Sequence, residues 1–181
     1  MPVVDLSRAE FFIHVYKEGA LSTFGHDLKL RIERTFVAIG EDWKIEATFD
    51  LDSIVIVGAV EDGLVAPHAL SLKDQHDIAE NMHRAVLETR RYPKAAFRST
   101  HVEPRTHGYH IDGKLELHGV ERPLSFDMNT RNGRATARIP LTLPDFEMRP
   151  YKAFLGALKT KNDVIVEIDA ALDDADPSQK G

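Results

Sequence analysis

The side chains in this chain that could do chemistry are mainly histidines, nine of them, with no cysteine. His76, Glu80 and His83 recur at spacings of four and three residues, so on a helix they would share one stripe. Imidazole and carboxylate groups can bind zinc and leave a coordination position for water. The spacing is not that of a His-Glu-x-x-His site, and Lys73 and Asp77 lie nearby. A solvated helix face is therefore favoured, and no metal site is predicted.

His26 and Asp27 are a stronger candidate for a functional site, because Gly25 allows a tight backbone turn just before them. His26 would open a strand, which is the position of a barrel rim. There it could hydrogen-bond the polar head of a ligand, or act with a carboxylate as a base. The alternative is a structural histidine that bonds backbone carbonyls in the turn, and the residues alone favour this interpretation.

Arg149, Tyr151 and Lys152 form the one cationic and aromatic cluster of the chain. A guanidinium group suits two-point contact with a phosphate or a carboxylate. Alternatively, Tyr151 and Phe154 close one end of a barrel while the cations stay in water. Both interpretations hold if the aromatic residues close over a ligand.

Motifs for covalent catalysis and for cofactors are lacking in the sequence. No serine has a Gly-x-Ser-x-Gly context, and no glycine-rich nucleotide loop occurs. No catalytic residue, cofactor or metal is predicted.

Composition sets the broad class of the protein. The net charge of −6 gives no electrostatic basis for binding nucleic acid. No run approaches the roughly 18 apolar residues of a membrane span. The start, MPVVDLSRAEFF, does not read as a secretory signal, so a cytoplasmic location is predicted. We expect one domain over residues 1–172 and a disordered acidic tail over 173–181.

Alternation of apolar and polar residues predicts that most of the chain is β-strand. The apolar phase of each strand predicts which side chains point inward: Leu30, Ile45, Phe49, Tyr109, Ile111, Leu115, Phe126, Met128, Ala137, Ile139 and Val166. Trp43 is placed on the strand of Ile45, and His101 and His118 are assigned to the outer face. Glu10 to Glu18 is apolar on both faces and is predicted to be a strand covered on both sides.

Turns and helices interrupt this pattern. Asp62-Gly63 and Asn132-Gly133 are turn pairs, and Pro140 indicates a strand edge. Ser71 and Asp74 resemble a capping box that starts a helix reaching about Glu88. We expect that helix to pack outside the sheet or across one end of it, through the side chains Ile78, Met82 and Val86. A short helix is predicted from about Pro150 to Leu158.

About eight strands and one long helix could form a sandwich or a closed barrel, and such a barrel holds one small ligand or none. Four small residues would face inward: Ala47, Gly113, Ala135 and Ala137. They could leave a cavity or make room for the rings of Trp43, Phe97 and Phe126. Because protein interiors are close-packed, the residues alone favour a filled interior.

Short motifs occur in a characteristic order along the chain: Thr23-Phe24-Gly25-His26-Asp27, Asp52-Ser53-Ile54, Tyr92-Pro93, Phe97-Arg98-Ser99-Thr100 and Gly113 to Pro123. In this order the chain resembles the YceI-like family from about Phe11 to Ala170. The resemblance implies a lipocalin-like antiparallel barrel whose lumen holds polyisoprenoids or other long-chain amphiphiles.

Two segments depart from the family pattern. Leu72 to His76 matches only partly the Arg-Asp-x-His-Leu segment that opens the helix in typical members. Phe146 to Gly156, FEMRPYKAFLG, replaces a short Arg-x-Asp-Phe-Gly element. The chain therefore resembles a divergent subgroup.

The resulting prediction is an all-β, lipocalin-like barrel that binds a long-chain amphiphile without catalysis. The polyisoprenoid, quinone or fatty-acid-like ligand would lie on the eleven inward residues, with His26, Arg149 and Tyr151 at its head group. No nucleic acid partner is expected, and a homodimer is allowed. Two alternatives stay open: a hydrolase or isomerase that uses His26 with a carboxylate, and a filled barrel that acts as a protein-interaction module.

Overall fold

The computed structural model describes residues 3–20, 25–153, 156 and 158–173. Twelve strands follow in chain order: β1 (Val3–Glu18), β2 (Asp27–Ile32), β3 (Thr35–Ile39), β4 (Ile45–Asp50), β5 (Ile54–Glu61), β6 (Leu64–Ala66), β7 (Lys94–Arg105), β8 (Gly108–Leu117), β9 (Val120–Arg131), β10 (Arg134–Thr142), β11 (Lys152–Ala153) and β12 (Leu158–Asp173). The helix α1 (Leu72–Asn81) continues as a π-helical turn, Met82–Val86.

The strands form one antiparallel sheet that curls around an apolar interior. Its order is β3-β4-β7-β8-β9-β10-β12-β1-β2-β5-β6, and β11 pairs with β12. The predicted fold class, an all-β antiparallel barrel with one long helix, is confirmed. In detail the sheet is a half-barrel whose hydrogen-bonded path has two ends, β3 and β6.

A corner in the chain joins β2, near one end of this path, to β3 at the other end. The chain passes from β2 into β3 through Glu33 and Arg34, although β2 pairs with β1 and β5 while β3 pairs with β4. Ser53, which is buried, holds the corner: its Oγ accepts from the Arg34 N–H at 2.9 Å and donates to the Asp50 carbonyl at 2.7 Å. The side chains of Arg34 and Asp50 add an ion pair at 2.9 Å. The chain therefore holds β2 beside β3 although the two strands do not pair with each other.

Alternating burial along β8 and β10 shows that these strands have one dry face and one wet face. Gly113 on β8 is needed for packing. A Cβ there would lie 2.4 Å from Cζ of Phe97 and 2.5 Å from the carbonyl oxygen of Arg98. Gly113 thus makes room for the Phe97 ring, whose centroid is 5.7 Å from that of Phe126.

The predicted turns are confirmed by their backbone angles. Asn132 and Gly133 have φ of 51° and 70°, and Asp62 and Gly63 have 51° and 79°, as type I′ hairpins require. Pro140 does lie near an edge. Within the described residues, β9 and β10 pair only through Arg134, Ala135 and Thr136, and beyond them β10 pairs with β12 alone.

The helix lies across one end of the barrel. The capping box is confirmed, because Ser71 Oγ accepts from the Asp74 N–H and the Asp74 carboxylate accepts from the Ser71 N–H. Ile78, Met82 and Val86 face the interior. The apolar stripe predicted for the helix therefore closes one end of the barrel and does not cover its outer wall.

Two predicted elements were wrong. Trp43 precedes β4 in a tight turn, with φ of 65° and its N–H on the Gly40 carbonyl at 3.0 Å. The reversal between β3 and β4 requires that turn, so Trp43 cannot extend the strand. The short helix from Pro150 to Leu158 is also wrong where the chain is described. Lys152–Ala153 is a strand that pairs with Leu158 and Lys159 of β12.

Phe154 and Leu155 lie outside the described residues, as does the predicted tail except for Asp173, which ends β12.

Candidate functional site

The barrel encloses a cavity of about 710 Å³. Ten of the eleven predicted inward residues lie on its wall: Leu30, Ile45, Phe49, Tyr109, Ile111, Leu115, Phe126, Met128, Ile139 and Val166. A filled interior, which close packing favoured, is wrong. Gly113 does accommodate Phe97, but the remaining inward side chains leave open space.

Ala137 is the exception among the eleven. It is buried, with 2% of its surface exposed, yet it does not line the cavity. On β10 it shares the inward phase of Ala135 and Ile139, which do line the cavity, and it packs among the buried apolar residues of the core. Ala137 is part of the packed wall.

Strand β1 contributes a part of the wall that the sequence did not assign. Ala9, Phe11, Ile13 and Val15 line the cavity. Phe12 belongs to the opposite face and lies under the ammonium group of Lys29, 4.0 Å from its ring centroid. Lysine stems and cation–π contact can cover an aromatic residue at a surface, so a strand with apolar residues on both faces need not be covered by another element.

Polar residues gather at the end of the cavity that the helix crosses, here called the mouth. Its border consists of Lys17, Gly25, His26, Asp74, Asp77, Asn81, Tyr151, Lys159 and Thr160. Lys17 pairs in register with Thr160, whose N–H donates to the Tyr151 carbonyl at 3.0 Å. The ammonium group of Lys17 donates to the Gly25 carbonyl at 3.2 Å. Hydrogen bonds thus hold three chain segments together around this opening.

The two carboxylates of the helix at the mouth are already engaged. Hydrogen bonds from Ser71 hold the pKa of Asp74 below its ordinary value, with a smaller contribution from the charge of nearby His26. Asp77 accepts from the Lys73 ammonium at 2.6 Å, and this bond raises the pKa of Lys73. The polar groups at the mouth are suited to binding the head of a ligand.

The three predicted head-group residues are not all brought together. His26 and Tyr151 border the cavity, whereas Arg149 is exposed and does not line it. Met148, next to Arg149, is buried and occupies the inward position, so the adjacent arginine points outward.

The predicted histidine stripe is divided by its surroundings. His76 and Glu80 are exposed, as a solvated face requires. His83 is half-buried, and its Nε2–H donates to the Ile54 carbonyl at 3.1 Å, so it belongs to the contact between helix and sheet. Among the described residues, no group of three or more acidic or histidine side chains is arranged to hold a metal ion.

His118 was assigned to the outer face, and that prediction was wrong. It occupies a third left-handed turn with Gly119, at φ of 55° and 75°, and only 9% of it is exposed. Its Nε2 lies 2.7 Å from Oε2 of Glu88, just after the helical segment. The ring of Tyr92 packs against it at 4.1 Å between centroids. This contact anchors the helix at the mouth, and the turn residue Gly119 was the only sequence signal for it.

Within the residues that the structure describes, no helix is both long and apolar enough to cross a membrane. The compartment of the protein stays a prediction.

A curled antiparallel sheet around an apolar cavity, with polar groups at one mouth, defines a lipocalin-like β-barrel. The family model of the YceI-like domain matches residues 5–172, and the chain belongs to this family. No curated protein matches the chain in a sequence comparison.

Solved structures share the fold. BcnA from Burkholderia cenocepacia superposes with a TM-score of 0.62 at 13% identity, over 93% of this chain and 98% of its own. A polyisoprenoid binding domain from Saccharophagus degradans, implicated in plant cell wall breakdown, gives 0.60 at 13% identity over 94% and 96%. The YCEI protein from Campylobacter jejuni gives 0.55 at 13% identity over 80% and 84%. At this identity the likeness shows the fold alone.

Proposed function

We propose that this protein binds a long-chain amphiphile in its cavity and does no covalent chemistry on it. The observation that carries this proposal is the open space of about 710 Å³ behind apolar walls. Pockets for small molecules typically measure roughly 300–1,000 Å³. Membership of the YceI-like family supports the proposal, as does the likeness to a polyisoprenoid binding domain.

The apolar wall would bind the tail of the ligand with little selectivity. Removal of one CH₂ group from water contributes about 0.8 kcal/mol, whatever the tail to which it belongs. Part of this gain is offset by the freedom that the ligand loses on binding. A polyisoprenoid, a quinone with a prenyl tail and a fatty-acid-like lipid would therefore all be retained by the same walls.

Selectivity would come from the head group at the mouth. His26, Tyr151 and Thr160 offer hydrogen-bonding groups there, and Lys17 offers a cation. A head group with acceptor oxygens would complement these donors. Asp74 and Asp77 already bind Ser71 and Lys73 and would not take part in binding the head group.

The alternative of a hydrolase or isomerase places His26 and a carboxylate in reactive positions. Asp74 borders the mouth together with His26, but its carboxylate accepts hydrogen bonds from Ser71. This arrangement supports a binding role for the mouth. The alternative of a filled interaction module requires an interior without space, and the cavity argues against it.

Mass spectrometry of an organic extract of the purified protein tests the proposal. Native mass spectra before and after extraction should differ by the mass of one amphiphile, which then appears in the extract. The catalytic alternative would gain if a candidate ester or lactone were turned over by the parent protein and not by His26→Ala. Absence of any co-purified amphiphile, together with failure to take up added long-chain lipids, would contradict the proposal.

A further inference from the structure

A cationic segment lies at the mouth of an otherwise acidic protein. Residues 149–161 contain four cations and no acidic residue, although the chain has a net charge of −6. Arg149, Lys152 and Lys161 are exposed, and none of the three forms an ion pair with any described residue. Lys159 makes one long contact of 3.5 Å with Glu18. The charge of this segment is therefore largely uncompensated.

The hairpin places two of these cations opposite each other. Lys152 of β11 is the register partner of Lys159 of β12. Like charges directly opposite each other destabilise an antiparallel strand pair. An anionic partner at this point would therefore relieve the repulsion between Lys152 and Lys159.

The same hairpin is part of the cavity wall. Tyr151, Leu158, Lys159 and Thr160 all line the mouth, and Tyr151 is 38% exposed. Tyrosine is favoured at the boundary between lipid and water because its ring is apolar and its hydroxyl is polar. A surface bound by this hairpin would consequently meet the opening through which a ligand enters.

Exposed leucines lie on the helix side of the mouth. Leu72, the first residue of α1, is 84% exposed and stands two positions before Asp74 on the border. Leu64 in β6 is 74% exposed and lies in the β5–β6 hairpin. In the same hairpin Val60 pairs with Asp27, which follows His26 in the chain. Apolar side chains presented together with cations fit the interface of a bilayer.

We propose that the paired strands β11 and β12, through the described cations Arg149, Lys152, Lys159 and Lys161, dock the mouth of the barrel on an anionic bilayer surface. The role of docking in exchanging an amphiphile with the bilayer rests on the proposed function; the docking itself does not. An anionic bilayer fits better than an acidic protein, because it accepts cations and apolar side chains without a shaped partner surface. Asp74 and Asp77 at the mouth already bind Ser71 and Lys73. Acidic residues on the other faces would be repelled, which orients the mouth toward the lipid.

Vesicle flotation with the full chain tests the docking. Phosphatidylcholine vesicles are compared with vesicles that also contain phosphatidylglycerol, at low and high salt. Lys152→Glu and Lys161→Glu are compared with Arg131→Glu, which makes the same charge change in the β9–β10 turn at the far end of the barrel. Each mouth cation is worth roughly fivefold in affinity for an anionic surface, so each mouth variant should lose at least about fivefold.

Flotation of the parent should require phosphatidylglycerol and decrease with salt, and Arg131→Glu should behave as the parent. Equal losses in Arg131→Glu and Lys152→Glu would overturn the proposal, since they would indicate net charge alone. Failure of the parent to float with anionic vesicles would also overturn it, and if an acidic protein then bound in a Lys152-dependent way, the partner would be that protein. Circular dichroism checks the fold of each variant.

Uptake of a fluorescent long-chain fatty acid without vesicles separates this proposal from the proposed function. Lys152→Glu should take up the probe as the parent does. If the parent takes up the probe but binds no anionic vesicle, docking fails and the cavity function stands. If the parent takes up no probe yet floats in a Lys152-dependent way, the cavity function fails and docking stands.

Discussion

Nε2 of His118 lies 2.7 Å from Oε2 of Glu88, and this contact joins the β8–β9 turn to the chain just after the helical segment. Both residues have left-handed backbone angles, with φ of 55° and 48°. The helix begins at the other side of the mouth, where Asp74 and His26 both border the cavity. The contact therefore anchors one end of the segment that crosses the mouth of the cavity.

Replacement of His118 should destabilise the fold. His118→Ala removes a mostly buried hydrogen bond and the contact with Tyr92, and we expect the free energy of unfolding to fall by about 1–2 kcal/mol. His101→Ala, at an exposed position, should change it by less than about 0.5 kcal/mol. Urea denaturation measures both. A double-mutant cycle with Glu88→Ala isolates the pair, and additive losses would contradict a direct interaction.

Loss of the helix cap should loosen the mouth without disturbing the barrel. Ser71→Ala removes the hydroxyl that accepts from the Asp74 N–H, and caps of this kind typically contribute about 1 kcal/mol. We expect faster amide hydrogen exchange over residues 72–81 and unchanged exchange in β8. Mass spectrometry of peptic fragments resolves the two regions. Faster exchange throughout β8 would show that the helix is integral to the barrel.

A histidine on the outer face should make stability depend on pH. The hydrogen bond from His110 to Asp127 raises the pKa of His110 above its ordinary value of 6.5. A raised pKa in the folded state means that the contribution to stability is fully present below pH 6.5. It is lost as the pH rises through the folded value.

Urea midpoints of the parent should therefore decrease over that alkaline step, and those of Asp127→Asn should decrease less, because Asp112 also raises the pKa of His110. His110 is exposed enough that the step will be small. An equal decrease in both proteins would assign the step to another group.

The elements of the fold could be predicted because they depend on local patterns. Period-two alternation gave the inward phase of the strands, and positive-φ pairs such as Asn132-Gly133 marked the hairpins. The capping box at Ser71 located the start of the helix. These signals are complete within a few residues of chain.

The features that failed depend on contacts between distant parts of the chain. Whether the interior was open or filled depended on the summed volumes of side chains from many strands, and no local pattern contains that sum. His118 looked like an outward strand residue until the helix end, 30 residues away, was in place. The apolar residues after Pro150 are spaced as in a helix. Lys152 and Ala153 nevertheless form a strand, because they pair with Lys159 and Leu158 of β12.

The site was predictable only in part for the same reason. The apolar wall followed from strand phase, whereas the border of the mouth required three segments to meet. Lys17 was not singled out, since its place beside Gly25 arises from the pairing of β1 with β2 and β12. Arg149 was chosen for its chemistry, but the buried neighbour Met148 determines which way it points.

Two identical substitutions at two buried alanines test directly whether the cavity binds a lipid. Ala47 lines the cavity, and Ala137 lies in the packed wall. Uptake of a fluorescent long-chain lipid and thermal unfolding are measured for the parent, Ala47→Trp and Ala137→Trp. The indole at position 47 has open space to enter. At position 137 it must overpack the wall, at a typical cost of about 1–3 kcal/mol.

We predict that Ala47→Trp keeps a melting temperature near that of the parent and weakens uptake by about tenfold or more, the equivalent of about 1.4 kcal/mol of lost contact. Ala137→Trp should show the reverse order, with a clear loss of stability. If the parent takes up no lipid, or if Ala47→Trp is destabilised as much as Ala137→Trp, the result would contradict a ligand site in the cavity.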